Sequence, residues 1–398
     1  LIPRVILRLA CLALTGLLLW PAYAGQAEAL GLHDTGVQVK ALKQRLFDLG
    51  YMLSVSKASD SYTQDTAEVV RAFQKANGLP ETGEADAATM AALHSPQAVK
   101  APLPEDRPRY NTQPDTVISF PLDLPLRDEQ GFLLDAGEPF IYNDREAGVW
   151  LYLSQSTQVR IIRHYQAKGQ LEWFEAYVSY KEGSMPRSLA SKKDGEIFQS
   201  PLKMLEDHPD IVLAITDDFY RYREQNRQHT GVVVREGVVK SEHTYAQDRS
   251  RIPSLEVLAL FGDGRLKTFA SDAHTGQEYL AMGVTDTWAF GPALVQEGEV
   301  PRYFYSKDYR SYREPRCALG MIAPGSYCAL VITGRKEGSK GAYFGWMAEK
   351  MKEMGATEAL NLDGGGTAAI VFMGEILNHS EQNQNSRAES GMIGFPAK

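Results

Sequence analysis

The sequence predicts an α+β protein in two parts, a small three-helix N-terminal module and a larger mixed-sheet α+β C-terminal domain. Three observations carry this. Apolar residues recur at helical spacing between 36 and 95, prolines gather from 96 to 115, and short β-branched or aromatic runs dominate from 116 onward. At 398 residues with 43% hydrophobic content, the chain has enough apolar surface for more than one core.

Residues 1–24 read as an export signal peptide. Arg4 and Arg8 precede an apolar run from Leu9 to Trp20, and Ala22-Tyr23-Ala24 supplies small residues at a cleavage site. The run is short of the roughly 20 apolar residues that span a bilayer, so membrane contact is expected only during export. The expected location is secreted, either wall-associated or periplasmic. The formal charge of −8 would become about −10 once the leader is removed, which argues against nucleic-acid binding.

Within 34–95, Val39, Leu42, Leu46 and Leu49 share one helical face that Gly50 stops. Val69, Ala72, Phe73 and Ala76 repeat the pattern up to Gly78, and a third helix runs from an Asp86 N-cap to Leu93. The prolines of 96–115 then read as a semi-stiff linker. In the remainder, residues 150–153, 159–162, 173–178, 211–215, 231–234, 257–261 and 329–332 have strand length and composition. Helices are expected at Pro201–Asp207 and Ala342–Met354, the second leading through Gly355 into a strand at Ala359-Leu360.

That strand runs into Asn361-Leu-Asp-Gly-Gly-Gly-Thr367, the most informative stretch of the chain. Glycines permit positive φ and close approach of a ligand to backbone amides, and successive amides can form an anion nest. Asp363 stands at the edge of that turn and Thr367 closes it. A tight turn with a capping Asp is the bland alternative. Apart from Cys11 in the leader, the only cysteines are Cys317 and Cys328. A hairpin turning at Ala323-Pro-Gly-Ser326 sets Cys328 opposite Met321 and Cys317 about 13 Å further along, which favours two buried thiols over a bridge.

The ordered residues Gly36-Val37, Leu49-Gly50-Tyr51, Phe73-Gln74, Gly78-Leu79, Gly83, Thr89 and Leu93 resemble the peptidoglycan-binding type 1 module. That resemblance implies docking on cell-wall glycan or peptide. Over roughly 170–380, five further motifs resemble the phosphodiester glycosidase family: Ile215-Thr-Asp-Asp-Phe-Tyr220, Ala289 to Val295, Arg316 to Gly320, Thr333-Gly-Arg335 and Asn361 to Thr367. The resemblance implies hydrolysis of a sugar-1-phosphodiester at the sugar C1, in a domain spanning 116–398. The chain departs from the family pattern at Thr216-Asp217, where members commonly carry Asn-Gly, at Thr333 in place of Asp, and at Thr367 in place of Ser.

Glycosidic cleavage passes through an oxocarbenium-like state that calls for a carboxylate, usually with a second one as acid or base. Asp363 and Asp218 are the catalytic candidates. Arg316 and Arg335 are the expected phosphate cations, because a guanidinium forks onto phosphate oxygens and keeps its charge. The amides of Gly364, Gly365 and Gly366 are further donors, with Asn361, Thr367 and Asp217 completing the substrate-binding set. No cofactor is expected. A hard cation such as calcium shared by Asp217, Asp218 and Asp363 is the one metal alternative. The competing readings are a wall or polysaccharide binder that does not cut, and a peptidoglycan hydrolase, for which no Cys/His, zinc or Glu-based signature is present.

Overall fold

The computed structural model describes residues 29–52, 60–103, 105, 107–116, 118, 124–135, 137–243, 255–271, 273–305, 311–380 and 386–397. The expected leader lies outside them. The chain divides into two compact units, one ending at Pro102 and the other beginning at Leu103.

The first unit holds α1 (Val37–Asp48), α2 (Gln64–Ala76) and α3 (Ala87–Leu93). Val39, Leu42, Leu46, Leu49, Tyr62, Val70, Phe73 and Leu93 form its core. Helix α1 ends as the Leu-Gly-Tyr sequence dictates. Gly50 takes φ +79°, its amide donates to Phe47 O at 2.8 Å, and the Tyr51 amide donates to Leu46 O at 2.9 Å, which is the paired bonding of a Schellman cap. Asp86 caps α3 by accepting the Thr89 amide at 2.7 Å. The buried Gln74 clamps the intervening loop to α3. Its Nε2 donates to Glu84 O (2.9 Å) and Thr89 Oγ1 (3.0 Å), and its Oε1 accepts the Gly83 amide (2.9 Å).

The second unit contains β1 (Phe140–Asp144), β2 (Val149–Leu153), β3 (Thr157–Gln166), β4 (Leu171–Tyr180), β5 (Arg187–Ala190), α4 (Pro201–Leu205), β6 (Ile211–Thr216) and α5 (Tyr220–Gln225). Then follow β7 (Val233–Arg235), β8 (Val238–Ser241), β9 (Glu256–Phe261), β10 (Leu266–Phe269), α6 (Gly276–Ala281), β11 (Val284–Phe290), β12 (Ala293–Val295), β13 (Arg316–Ala323) and β14 (Ser326–Ile332). Helix α7 (Phe344–Glu353), β15 (Glu358–Asn361), β16 (Ile370–Phe372), β17 (Glu375–Ile376) and β18 (Gly391–Pro396) complete it. The class is α+β, and every pairing between these strands is antiparallel.

Two sheets position the site. One has eight strands in the order β1-β2-β3-β4-β14-β13-β15-β12, the other five in the order β17-β16-β6-β18-β5. Trp150, Phe174, Leu319, Val331 and Leu360 of the large sheet meet Leu213, Ile215, Ile370, Phe372, Ile393 and Phe395 of the smaller one. The far face of the large sheet is covered by α7 through Trp346, Met347 and Met351. Strand β6 is buried along its whole length because both its faces are covered, which is why it reads as an unbroken apolar run. Strands β9, β10 and β11 form a three-stranded sheet and β7 and β8 pair separately.

The β13–β14 hairpin turns where expected, but a register shift between Met321 and Ala323 places Cys328 opposite Gly320, one residue from the expected Met321. Both thiols are free and buried. Cys317 belongs to the core between the sheets and Cys328 to the core under α7, so they project from opposite faces and cannot bridge. The stretch read as a linker is tied down at both ends. The Ala101 amide donates to Leu49 O at 3.0 Å in the first unit. In the second, Trp346 Nε1 donates to Asn111 O at 2.8 Å and Gln166 Nε2 to Gln113 O at 2.7 Å.

Candidate active site

The site forms where β6 of the smaller sheet and β15 of the larger one end side by side. Thr216, the last residue of β6, donates from Oγ1 to Thr367 O at 2.6 Å and accepts the Ala369 amide at 2.9 Å. The Asp363 amide donates to Asp217 O at 3.0 Å. These bonds seat the glycine turn directly on the end of β6, so two sequence segments about 150 residues apart share one cluster of acids.

Asp363 is half-buried, and its Oδ2 accepts the Thr367 hydroxyl at 2.7 Å. Burial raises its pKa above the ordinary carboxylate value, opposed by the Thr367 hydroxyl, the Gly364 amide and the charges of Arg223 and Arg387. Asp217 is buried, and its Oδ1 accepts the Phe219 amide at 2.7 Å. Burial, then the charge of Asp218, push its pKa up to about 7, with Asp363 adding to the rise and Arg235 opposing it. Two acids with weakened ionisation thus adjoin each other, one more open than the other.

Asp218 does not join them as an acid. It is fully buried, its Oδ1 accepts Arg235 Nη2 at 2.6 Å, its Oδ2 accepts the Ala289 amide at 2.8 Å, and Arg223 Nη2 lies 3.7 Å from Oδ2. Arg223 in turn donates to the carbonyls of Asp218, Ala289, His229 and Thr230. The expectation of a catalytic Asp218 is therefore corrected: its oxygens are consumed by internal partners and it fixes β7, β11 and α5 behind the site. Among the described residues no group of three or more His, Cys, Asp or Glu is arranged to hold a metal.

The glycines serve proximity more than anion capture. A Cβ on Gly364 would stand 2.6 Å from Pro315 O, and Gly365 has φ +66°. The Gly365 amide is spent on Pro315 O at 2.9 Å, and the Gly364 amide is turned to Asp363. This corrects the expected three-amide nest. Asn361 is likewise structural: its Nδ2 donates to Gly291 O at 2.8 Å, and its backbone pairs with Gly291 and Pro292, holding the end of β11 against β15.

Of the expected cations, Arg316 is seated on the Phe344 ring, 3.9 Å from its centroid, and donates to Tyr312 O at 2.9 Å. Arg335 does reach the turn. Its terminal nitrogens lie 3.5 Å from where a Gly365 Cβ would stand, while its Nε donates to Glu314 at 2.6 Å. Two residues escaped the sequence reading. Arg387 stacks over Phe219 (5.4 Å) and Tyr222 (5.0 Å), and its Cδ is 3.9 Å from the place of a Gly366 Cβ. Glu389 is a fully buried acid of the same cluster. Neither sits in a recognisable motif, since each is a single charged residue just before a short apolar strand.

Residues 209–395 match the family model of the phosphodiester glycosidases, and residues 35–93 match that of the peptidoglycan binding domain. Residues 209–395 are thus similar to the phosphodiester glycosidases. The chain is 23% identical over 188 residues to an SPbeta prophage-derived uncharacterized protein, YomE, of Bacillus subtilis (strain 168), a match covering 46% of this chain and 28% of that one. The chain thus spans less than a third of the length of this curated relative. Among solved structures, it is similar to the catalytic domain of zebrafish N-acetylglucosamine-1-phosphodiester alpha-N-acetylglucosaminidase auto-inhibited by its pro-peptide. That likeness has 15% identity and a TM-score of 0.46 and covers 62% of this chain and 85% of the other. A hypothetical protein from Synechocystis has 16% identity and a TM-score of 0.40, covering 65% of this chain and 64% of the other.

Proposed function

We propose that the protein is an exported, cell-wall-associated hydrolase that cleaves the C1–O bond of sugar-1-phosphodiesters in wall polymers or exopolysaccharide, with its N-terminal module docking on peptidoglycan. One observation supports this reading above the others. Asp363, beside Asp217, lies under a glycine turn flanked by the guanidinium of Arg335 on the Gly365 side and by the Arg387 side chain on the Gly366 side. An anionic ester lodged over the glycines meets both cations, with its anomeric carbon turned toward Asp363.

In this mechanism Asp363, the more open acid and the one steadied by Thr367 and the Gly364 amide, supplies the negative charge at C1. Asp217 retains its proton up to about pH 7 and serves as the donor toward the leaving oxygen below that pH. A phosphate departs more readily than a sugar alcohol, so this proton matters less than the cations that hold the developing charge. Arg387→Ala is expected to raise KM for a sugar-1-phosphodiester at least about tenfold, since a charge-assisted hydrogen bond is worth about 1.5–3 kcal/mol. The assay is turnover of a panel of sugar-1-phosphodiesters by the purified full chain. Wild-type binding without turnover of any of them would favour the rival reading, a wall-polymer binder.

A further inference from the structure

The acids assigned above leave Glu389 without a role. It is completely buried, and neither carboxylate oxygen has a hydrogen-bond partner. Its place is set by the backbone. The Glu389 amide donates to Gln199 O at 2.7 Å and its carbonyl accepts the Gln199 amide at 3.0 Å, just ahead of β18. Strand β18 pairs with β6, Met392 opposite Thr216. Two residues beyond Glu389, a Cβ on Gly391 would stand 2.5 Å from Asp217 Oδ2, and Glu389 itself lies close enough to Asp217 and Asp363 to feel their charges.

The groups around it are mostly unfavourable to a charge. Asp217 at the end of β6 and Asp363 from the glycine turn are the facing acids, Arg387 on its own segment is the facing cation, and Thr216 and Cys317 are neutral neighbours from β6 and β13. An ionised carboxylate so enclosed and beside two other acids is strongly disfavoured, with the Arg387 charge and the Thr216 hydroxyl opposing that only in part. It stays neutral instead, and burial followed by Asp217 and Asp363 hold its pKa well above the ordinary range.

We propose that Glu389 is the positioning acid of this site, a buried carboxyl group kept neutral so that the Asp217–Asp363 pair carries its charge without a third carboxylate opposing it. This rests on the hydrolytic reading of the same pocket. At alkaline pH the ionising Glu389 repels both Asp363 and an anionic ester, and so adds to the loss of the Asp217 proton in limiting activity.

The test uses the full chain and the isosteric Glu389→Gln variant, read in two independent ways. Infrared spectra at pH 7 are expected to show the C=O stretch of a protonated carboxylic acid in the wild type that the variant lacks, with Glu389→Asp shifting that band as a second check. In turnover, kcat of Glu389→Gln at acid pH falls by no more than about tenfold, while the alkaline limb of kcat/KM moves upward. Infrared bands identical in wild type and variant would overturn the proposal, and so would an unmoved alkaline limb. The spectra decide the protonation of Glu389 even if no ester is hydrolysed, whereas absence of turnover on every ester counts against the hydrolytic reading alone.

Discussion

Replacing Asp363 by Asn is expected to lower kcat/KM for a sugar-1-phosphodiester by about a hundred- to ten-thousand-fold while leaving the fold intact. Asn keeps the shape of the side chain, and its carbonyl oxygen still accepts the Thr367 hydroxyl that now lies 2.7 Å from Oδ2. What it cannot do is carry the negative charge that an oxocarbenium-like state needs. Stability moves the other way. The folded-state pKa of Asp363 lies above its ordinary value, so this group favours the fold fully at low pH, and that favour is lost as pH rises above 3.8. The variant lacks the penalty, and its urea midpoint at neutral pH should equal or exceed that of the wild type. A variant that turns over substrate normally removes Asp363 from the mechanism. One that simply unfolds is excluded by the same midpoint.

The second large effect is expected at Asp218, and it falls on stability. Asp218→Ala leaves Arg235 and Arg223 without their buried counter-charge, together with an orphaned Ala289 amide. Breaking a buried pair in this way costs about 3–5 kcal/mol. The urea midpoint of the second unit should drop accordingly, with an intermediate drop for Asp218→Asn, which keeps an acceptor for the amide but loses the charge. A catalytic Asp218 would behave in the opposite manner, losing turnover in the Asn variant at unchanged stability. The contrast between Asp363 and Asp218 separates an acid that faces a substrate from one that holds the framework.

These two acids also mark how far local sequence reaches. The Asp363 turn was legible because its own residues are contiguous: a buried strand, three glycines and a hydroxyl four residues on. Strands such as β3, β4 and β6 were legible for a similar reason, since apolar and β-branched residues fill a face that must be covered. The three-residue β16 and the two-residue β17 carry no such period; β16 forms on the edge of β6, and β17 on the edge of β16. The role of Asp218 was not legible, because the partners that consume its oxygens lie 17 and 71 residues away. Arg316 has the guanidinium that a phosphate calls for, yet an aromatic ring at the start of α7 claims it. Arg387 and Glu389 acquire meaning only when β18 is laid beside β6.

The central claim concerns which bond breaks, and oxygen-isotope tracing addresses it directly. Hydrolysis of a sugar-1-phosphodiester by the full chain in water enriched in oxygen-18 is predicted to place the label on the sugar C1 hydroxyl and leave the released phosphate monoester unlabelled. Label on the phosphate would mean attack at phosphorus and would contradict the account.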